Sequence, residues 1–219
     1  MLITLLLQNP LLFIVFALSL LVAIAIHEFA HAWAADKLGD PTPRLQGRLT
    51  LNPIAHLDPV GTILLLLVGF GWGKPVQFDP FNLQNPRRDA AIISFAGPFS
   101  NMILVTILSL VYRFGILQNL LPFLPIGAII PPLIQLNLVL AIFNLIPIHP
   151  LDGGKILVGL LPAEQARSVD RFLRQNGLIL LLLLIFFPLV GGQSIVSSII
   201  SPIISFFMRI YLPNASGFV

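Results

Sequence analysis

Residues 25–34 read AIHEFAHAWA, at the end of an apolar run in which residues 1–26 hold no Asp, Glu, Lys, Arg or His. A run of that length reads as a membrane-spanning helix. An ionisable side chain deep in such a helix costs about 2.5–3.5 kcal/mol on insertion scales, so His27, Glu28 and His31 need a reason to be there. In a helix, positions four apart share a face with Cβ atoms ~5–6 Å from one another. His27 and His31 can therefore grip one ion, with Glu28 beside them.

The rest of the composition agrees with a lipid solvent. The chain has 219 residues, of which 57% are hydrophobic and 10% charged, and its mean hydropathy is +0.95. Soluble domains carry about a quarter charged residues. The net charge of +3 would fit nucleic acid in a soluble protein. Here Lys and Arg fall in loops between apolar runs, which is a topology signal, and no nucleic-acid partner is expected. There are no cysteines, which excludes disulfide frameworks and thiolate metal sites. The N-terminal run lacks a basic segment before it and is too long for a cleaved signal, so it reads as a retained span.

Working outward from residues 25–34, the first span covers about Leu11–Ala35. Lys37, Arg44 and Arg48 follow it and no basic residue precedes it, which places the His31 end in the cytoplasm. The next apolar stretch, Val60–Phe70, is short for a crossing and has basic residues on both flanks. It reads as a re-entrant segment, tolerated where protein or a water cavity covers it. GKPVQFDP, residues 73–80, alternates enough to be an extended strand or edge. Further spans are expected at about Asp89–Tyr112, Gly127–Ile148, Leu178–Val190 and Ile195–Ile210. The turn GGQS lies between the last two, and Arg209 returns to the inside. The predicted fold is an all-α polytopic membrane protein with about five transmembrane helices, a re-entrant segment and a short β-like strand or hairpin. It forms one integral membrane domain over 1–219, with a catalytic core at about 11–157 and C-terminal helices at about 178–212.

HExxH on a helix is the arrangement in which two histidines hold zinc and the glutamate takes a proton from water. A catalytic zinc uses three protein ligands and keeps one position open. Asp152, in PLDGGKIL, is the best third candidate, because it ends the third span on the same membrane face as His31. Gly153 and Gly154 beside it would admit close approach. Taken alone, it reads more simply as a cap on a helix starting at Gly153. His56 and Asp58 either orient the metal-binding imidazoles from behind or form a turn and cap before the re-entrant segment; the turn is the preferred reading. His149 is assigned a structural or gating role, and Trp72 an interfacial anchor.

HEFAH (27–31), NPIAHLDPVGT (52–62), GWGKPVQFDP (71–80), NPRRDAAIISFAGPFSN (85–101) and NLIPIHPLDGGKIL (144–157) together resemble the site-2 proteases, a family of intramembrane zinc metalloproteases. The likeness is to the short prokaryotic form without PDZ or CBS domains. The resemblance implies one Zn2+ per chain on His27, His31 and Asp152. It implies Glu28 as general base and then proton donor, and Asn144 as a residue that holds substrate or stabilises the oxyanion. It also implies membrane-anchored protein substrates, a place in a prokaryotic cell membrane with the active site toward the cytoplasm, and GKPVQF as an edge for an unwound substrate. A transporter or channel, or a non-catalytic scaffold, are the competing readings. Glu28 beside two histidines at helical spacing argues against the first, and the intact set of His27, Glu28, His31 and Asp152 against the second.

Overall fold

The computed structural model describes residues 2–68, 71–121, 123, 125–188 and 194–213. Among these the fold is helical. The helices are α1 (Leu2–Gln8), α2 (Pro10–Lys37), α3 (Thr42–Leu45), α4 (Pro59–Val68), α5 (Pro86–Arg113), α6 (Ile116–Leu120), α7 (Ile126–Asn144), α8 (Asp152–Leu160), α9 (Ala163–Phe186) and α10 (Ile195–Tyr211). Three of them, α2, α5 and α7, are long and apolar enough to cross a membrane.

α2 starts where Asn9 caps it, its side chain accepting from the Leu12 N–H at 3.0 Å. Pro10 takes the first position, where a missing N–H costs nothing. At 28 residues the helix is about 42 Å long, more than the ~30 Å hydrocarbon layer. Small residues line its buried side, among them Ser19, Ala23, Ala32 and Ala35. They let α5 approach closely, since packing of small surfaces holds helices together where lipid is as apolar as leucine. The opposite side of α2 exposes Leu11, Ile14, Leu18 and Val22 at helical spacing, and α5 exposes Phe95, Phe99, Ile103, Ile107 and Leu110. Such stripes are lipid-facing surfaces.

α7 ends at Asn144, four residues short of the expected Ile148. Pro147 disfavours helix in the residue before it and cannot donate to the turn behind it. The chain then doubles back into α8. Gly153 allows this: a Cβ there would run into the carbonyl oxygens of Leu145 and Ile146.

Residues 57–73 enter and leave at one end of the bundle. The Lys74 N–H donates to the His56 carbonyl at 2.8 Å, Leu57 bridges Gly73, and a Cβ on Gly61 would strike the Trp72 backbone. The two ends of the segment thus lie side by side, as a re-entrant segment requires; Gly69 and Phe70 lie outside the described residues. The expected strand at 73–80 differs. No regular strand occurs among the described residues, and beyond Gly73 the segment is extended without a ladder. Pro75 and Pro80 remove donors from it. Side chains hold it instead: the buried Arg48 donates to the carbonyls of Ala55 and Lys74. The buried Asp40 accepts from the Asp79 N–H and the Asn82 side chain.

The last helix runs opposite to expectation. The Arg113 side chain donates to the Ile210 carbonyl at 2.8 Å, Ser109 Oγ donates to the Tyr211 carbonyl at 2.6 Å, and Met208 joins Val105, Ile126 and Ile130 in one core cluster. The end of α10 thus lies at the C-terminal end of α5 and the N-terminal end of α7, far from Lys37 and Asp152. Arg209 does not return to the Lys37 end. With α2, α5 and α7 crossing, a full crossing by α9 followed by one by α10 would bring Tyr211 back to that end. The expected pair Leu178–Val190 and Ile195–Ile210 therefore does not traverse the bundle twice. Residues 189–190, and 191–193 of the GGQS turn, lie outside the described residues.

Candidate metal centre

The site forms where α2, α5 and α8 meet. His27 and His31 project from the buried face of α2, one turn apart, with ring centroids 4.6 Å from each other and planes nearly perpendicular at 88°. Asp152 opens α8. Leu151 before it makes no side-chain cap, and the Asp152 carboxylate points across the bundle instead: Oδ2 lies 3.1 Å from His27 Nε2 and 3.2 Å from His31 Nε2. The cap alternative for Asp152 therefore fails. All three donor atoms lie within 4.8 Å of one another.

The other ring nitrogens fix the chemistry of this cluster. His31 Nδ1 donates to the Ile93 carbonyl at 2.7 Å. His27 Nδ1 donates to Asn101 Oδ1 at 2.7 Å. The Asn101 oxygen must face the imidazole, because its amide nitrogen donates to the Ala23 carbonyl at 3.1 Å and to Asn137 Oδ1 at 2.7 Å. Asn137 in turn donates to the Leu133 carbonyl. With both Nδ1 atoms protonated, a neutral ring turns a lone pair outward at each Nε2. Two lone pairs and a carboxylate oxygen then converge in a buried space, which is unfavourable unless a cation sits among them. Donors sharing one tetrahedral zinc at ~2.0–2.1 Å stand ~3.3 Å apart, close to the observed 3.1 and 3.2 Å. The residues present fit a divalent metal, and their two-imidazole, one-carboxylate chemistry suits zinc.

α5 makes room for this cluster. A Cβ on Gly97 would fall onto the His31 ring and crowd His27 Nε2, so only glycine lets α5 pass this close. Pro98, the next residue, removes the N–H that the Ser94 carbonyl would otherwise take. One residue earlier, Ile93 lends its carbonyl to His31.

Glu28 faces the 73–80 segment. Its Oε2 accepts the Val76 N–H at 3.0 Å, which anchors one carboxylate oxygen and leaves the other free among the described residues. The segment that Glu28 touches is the one Arg48 clamps. Asp40 fastens the far end of that segment. Burial pushes its carboxyl up, but hydrogen bonds from Thr42, Asn82 and the Asp79 N–H outweigh this and hold it below the usual carboxylate range.

Asn144 is not drawn into the cluster. It ends α7 and its amide donates to the Leu140 carbonyl of its own helix at 2.9 Å. His56 is fully buried, donates to the Thr50 carbonyl at 2.8 Å and gives its own carbonyl to Lys74. Asp58 Oδ1 accepts the Gly61 N–H at 2.7 Å and caps α4. Both serve the turn; the partners of the metal-facing imidazoles are Asn101 and Ile93. His149 braces the loop before Asp152 against α9: its Nε2 lies 3.3 Å from Asp170 Oδ1, and a Cβ on Gly177 would strike its carbonyl. Trp72 is half exposed. The sequence did carry a sign of the α5 contribution: Gly97 and Asn101, four apart in a lipid-crossing helix, put a gap and an amide on one face.

Known proteins are similar to this chain in sequence. The model of peptidase family M50 matches residues 114–187, which includes Asp152. The chain is 42% identical over 177 residues to YwhC of Bacillus subtilis, covering 78% of this chain and 80% of YwhC. It is 32% identical over 182 residues to Rip2 of Mycobacterium tuberculosis H37Rv, covering 78% of this chain and 66% of Rip2. Both names assign their proteins provisionally to the zinc metalloproteases. A more distant relative, MJ0392 of Methanocaldococcus jannaschii, is named a zinc metalloprotease and is 28% identical over 155 residues, covering 70% of this chain and 36% of MJ0392. No solved structure matches the chain. With the buried His27, His31 and Asp152 cluster and a relative this similar across four-fifths of its length, the chain belongs to peptidase family M50, the site-2 proteases.

Proposed function

We propose that this membrane-embedded zinc metalloprotease hydrolyses peptide bonds within or near the transmembrane segments of membrane-anchored proteins, with its active site toward the cytoplasm. The observation that carries the reading is the convergence of His27 Nε2, His31 Nε2 and Asp152 Oδ2 within 4.8 Å, one residue from a glutamate with a free carboxylate oxygen. His27, His31 and Asp152 would hold one zinc ion. Bound there, zinc lowers the pKa of water to about 7 and polarises a carbonyl.

The chain's own residues do the rest. Glu28 accepts the proton of the attacking water on its free oxygen while the Val76 N–H steadies the other. It then returns the proton to the leaving amine. A peptide bond inside a helix is shielded, so the substrate must unwind before water reaches it. The Gln77 and Phe78 N–H groups donate to no described residue, and they offer an opened substrate a strand to pair with. Pairing of this kind would complete the β-like edge that the free chain lacks. Asn144 has one amide N–H on the Leu140 carbonyl and would hold substrate with its second N–H or its oxygen.

Ten of the twelve Lys and Arg residues belong to the metal-bearing end, Arg113 and Arg209 to the other. That imbalance supports a cytoplasmic metal end in a prokaryotic cell membrane. We assign four crossings, α2, α5, α7 and α10, in place of about five, with α4 re-entrant and the apolar part of α9 resting in the lipid on the metal side. Residues 1–219 act as one domain, with the catalytic core at about 11–157. The test is a set of variants in detergent micelles with a model membrane substrate. Glu28→Gln keeps one zinc per chain and loses cleavage; His27→Ala and Asp152→Ala lose most of the metal. Normal cleavage by Glu28→Gln refutes the mechanism.

A further inference from the structure

Hydrolysis needs a hydrogen-bond donor for the carbonyl oxygen that becomes an oxyanion, and one N–H of the Asn144 amide is engaged by the Leu140 carbonyl of its own helix. One cationic donor near the site is not spent. Lys155 lies three residues after Asp152 on α8, and three positions apart on a helix is one face. Its Nζ sits 4.8 Å above the centre of the Phe78 ring. Phe78 itself packs against the cluster of Ala34, Ala35 and Ile93, beside the carbonyl that holds His31. The Lys155 side chain thus bridges from the Asp152 helix to the 73–80 segment.

The ammonium carries three donors and no acceptor. Among the described residues it makes no hydrogen bond and no ion pair, although the side chain is partly buried. Leaving a partly buried cation without a hydrogen-bond partner is costly, and the ring face of Phe78 offsets only part of that. Burial pushes the Lys155 ammonium down from its ordinary range, while the carboxylates of Asp152 and Glu28 pull it back up. Both groups that flank the reaction therefore act on it electrostatically, and neither takes its protons.

We infer that Lys155 is a catalytic residue whose ammonium donates to the scissile carbonyl oxygen as negative charge develops on it. The inference rests on the proteolytic reading of the site. The water oxygen adds to the carbonyl carbon and its proton passes to Glu28. The carbonyl π pair moves onto oxygen, where Lys155 meets it. When the pair returns, the C–N bond breaks and the nitrogen takes the proton from Glu28, leaving an acid and an amine. Contact with the Phe78 ring holds the ammonium in place before substrate arrives, and a donor fixed in advance is what oxyanion stabilisation needs.

The test uses the full chain in detergent micelles with Lys155→Met, Lys155→Arg and, should the Met variant fail to fold, Lys155→Gln. Zinc per chain, kcat, KM and the affinity for a phosphinic peptide, which copies the tetrahedral oxyanion, are measured for each. Lys155→Met is expected to keep its zinc and its KM within about twofold. It should lose about 10²–10³ in kcat, the cost of one oxyanion donor, and a similar factor in phosphinic-peptide affinity. Lys155→Arg should recover most of both. Wild-type kcat in Lys155→Met overturns the inference, as does a loss of zinc, which would make Lys155 a support for Asp152. So does a rise in KM alone. Glu28→Gln, measured alongside, separates the two failures: if it is inactive while Lys155→Met is normal, only the role of Lys155 falls.

Discussion

Replacing Asn101 by leucine removes the acceptor of the His27 Nδ1–H and leaves that donor buried, since both residues are at most 4% exposed. The shape is nearly kept. A buried donor left without a partner costs about 1–3 kcal/mol. The ring can also regain the missing bond by rotating or by moving its proton to Nε2, and either response takes the lone pair away from the metal. At ~1.4 kcal/mol per factor of ten, the expected loss in zinc affinity is about 10–100-fold, the range seen when partners of metal-bound histidines are removed. The loss of Asn101 Nδ2 adds little at Ala23, whose carbonyl stays within its own helix, and frees Asn137 Oδ1. Zinc affinity is read by competition with a chelator in detergent micelles, together with thermal stability of the metal-free protein. Asn101→Asp is the control, because a carboxylate still accepts from Nδ1 and the Asn137 amide can turn to donate to it. Its zinc affinity should equal or exceed that of the native chain. If Asn101→Leu binds zinc as tightly as Asn101→Asp, the hydrogen bond at 2.7 Å does not orient His27 and the reasoning fails.

Two further outcomes follow from the packing. Gly97→Ala places a methyl group against His31 Nε2, so zinc content should fall below half while the helical content is kept; full zinc occupancy in that variant would contradict the close approach of α5. The chain lacks cysteine, so single cysteines can be read by impermeant thiol reagents in vesicles. Cysteines at 114 and 212 should label from one side, and cysteines at 74 and 174 from the other; labelling of 212 together with 74 would contradict the direction of α10.

Much of the site is legible because its chemistry is local. His27, Glu28 and His31 lie within one turn and a half of a single helix, so the sequence spacing alone puts them on adjoining faces. Asp152 is 125 residues from His27, and it is legible only through its place at the end of a span on the same membrane face. What pairs across helices is harder. Asn101, Ile93 and Lys155 take their roles from which side of α5 or α8 turns toward α2. Hydropathy does not encode this rotation when every face is apolar. The structural role of Arg48 is illegible for a related reason. As a basic residue beside a span it signals topology equally well whether it is solvated or, as here, buried and clamping two carbonyls.

The direction of α10 shows where the topology signal runs out. A count of basic residues orders the ends of a crossing, and it is decisive when the contrast is large, as for Lys37, Arg44 and Arg48 after α2. At α10 the contrast is one residue, Arg209. Against it stand the Arg113 and Ser109 bonds to the last turn of the helix and the burial of Met208 among the first residues of α7, each a contact that no hydropathy profile contains. A lone arginine at a helix end costs little on either side, because its long stem lets the guanidinium reach the aqueous layer. The packing of a whole helix face therefore sets the direction. The same reasoning accounts for α9. Its first half holds Glu164, Arg167, Asp170, Arg171 and Arg174, too many charges for the hydrocarbon. After Gly177, which is pinned against His149 at the metal end, only nine helical residues remain, about 14 Å of rise. That is half of what a crossing requires, which supports the proposal that α9 ends within the layer it entered and α10 makes the traverse.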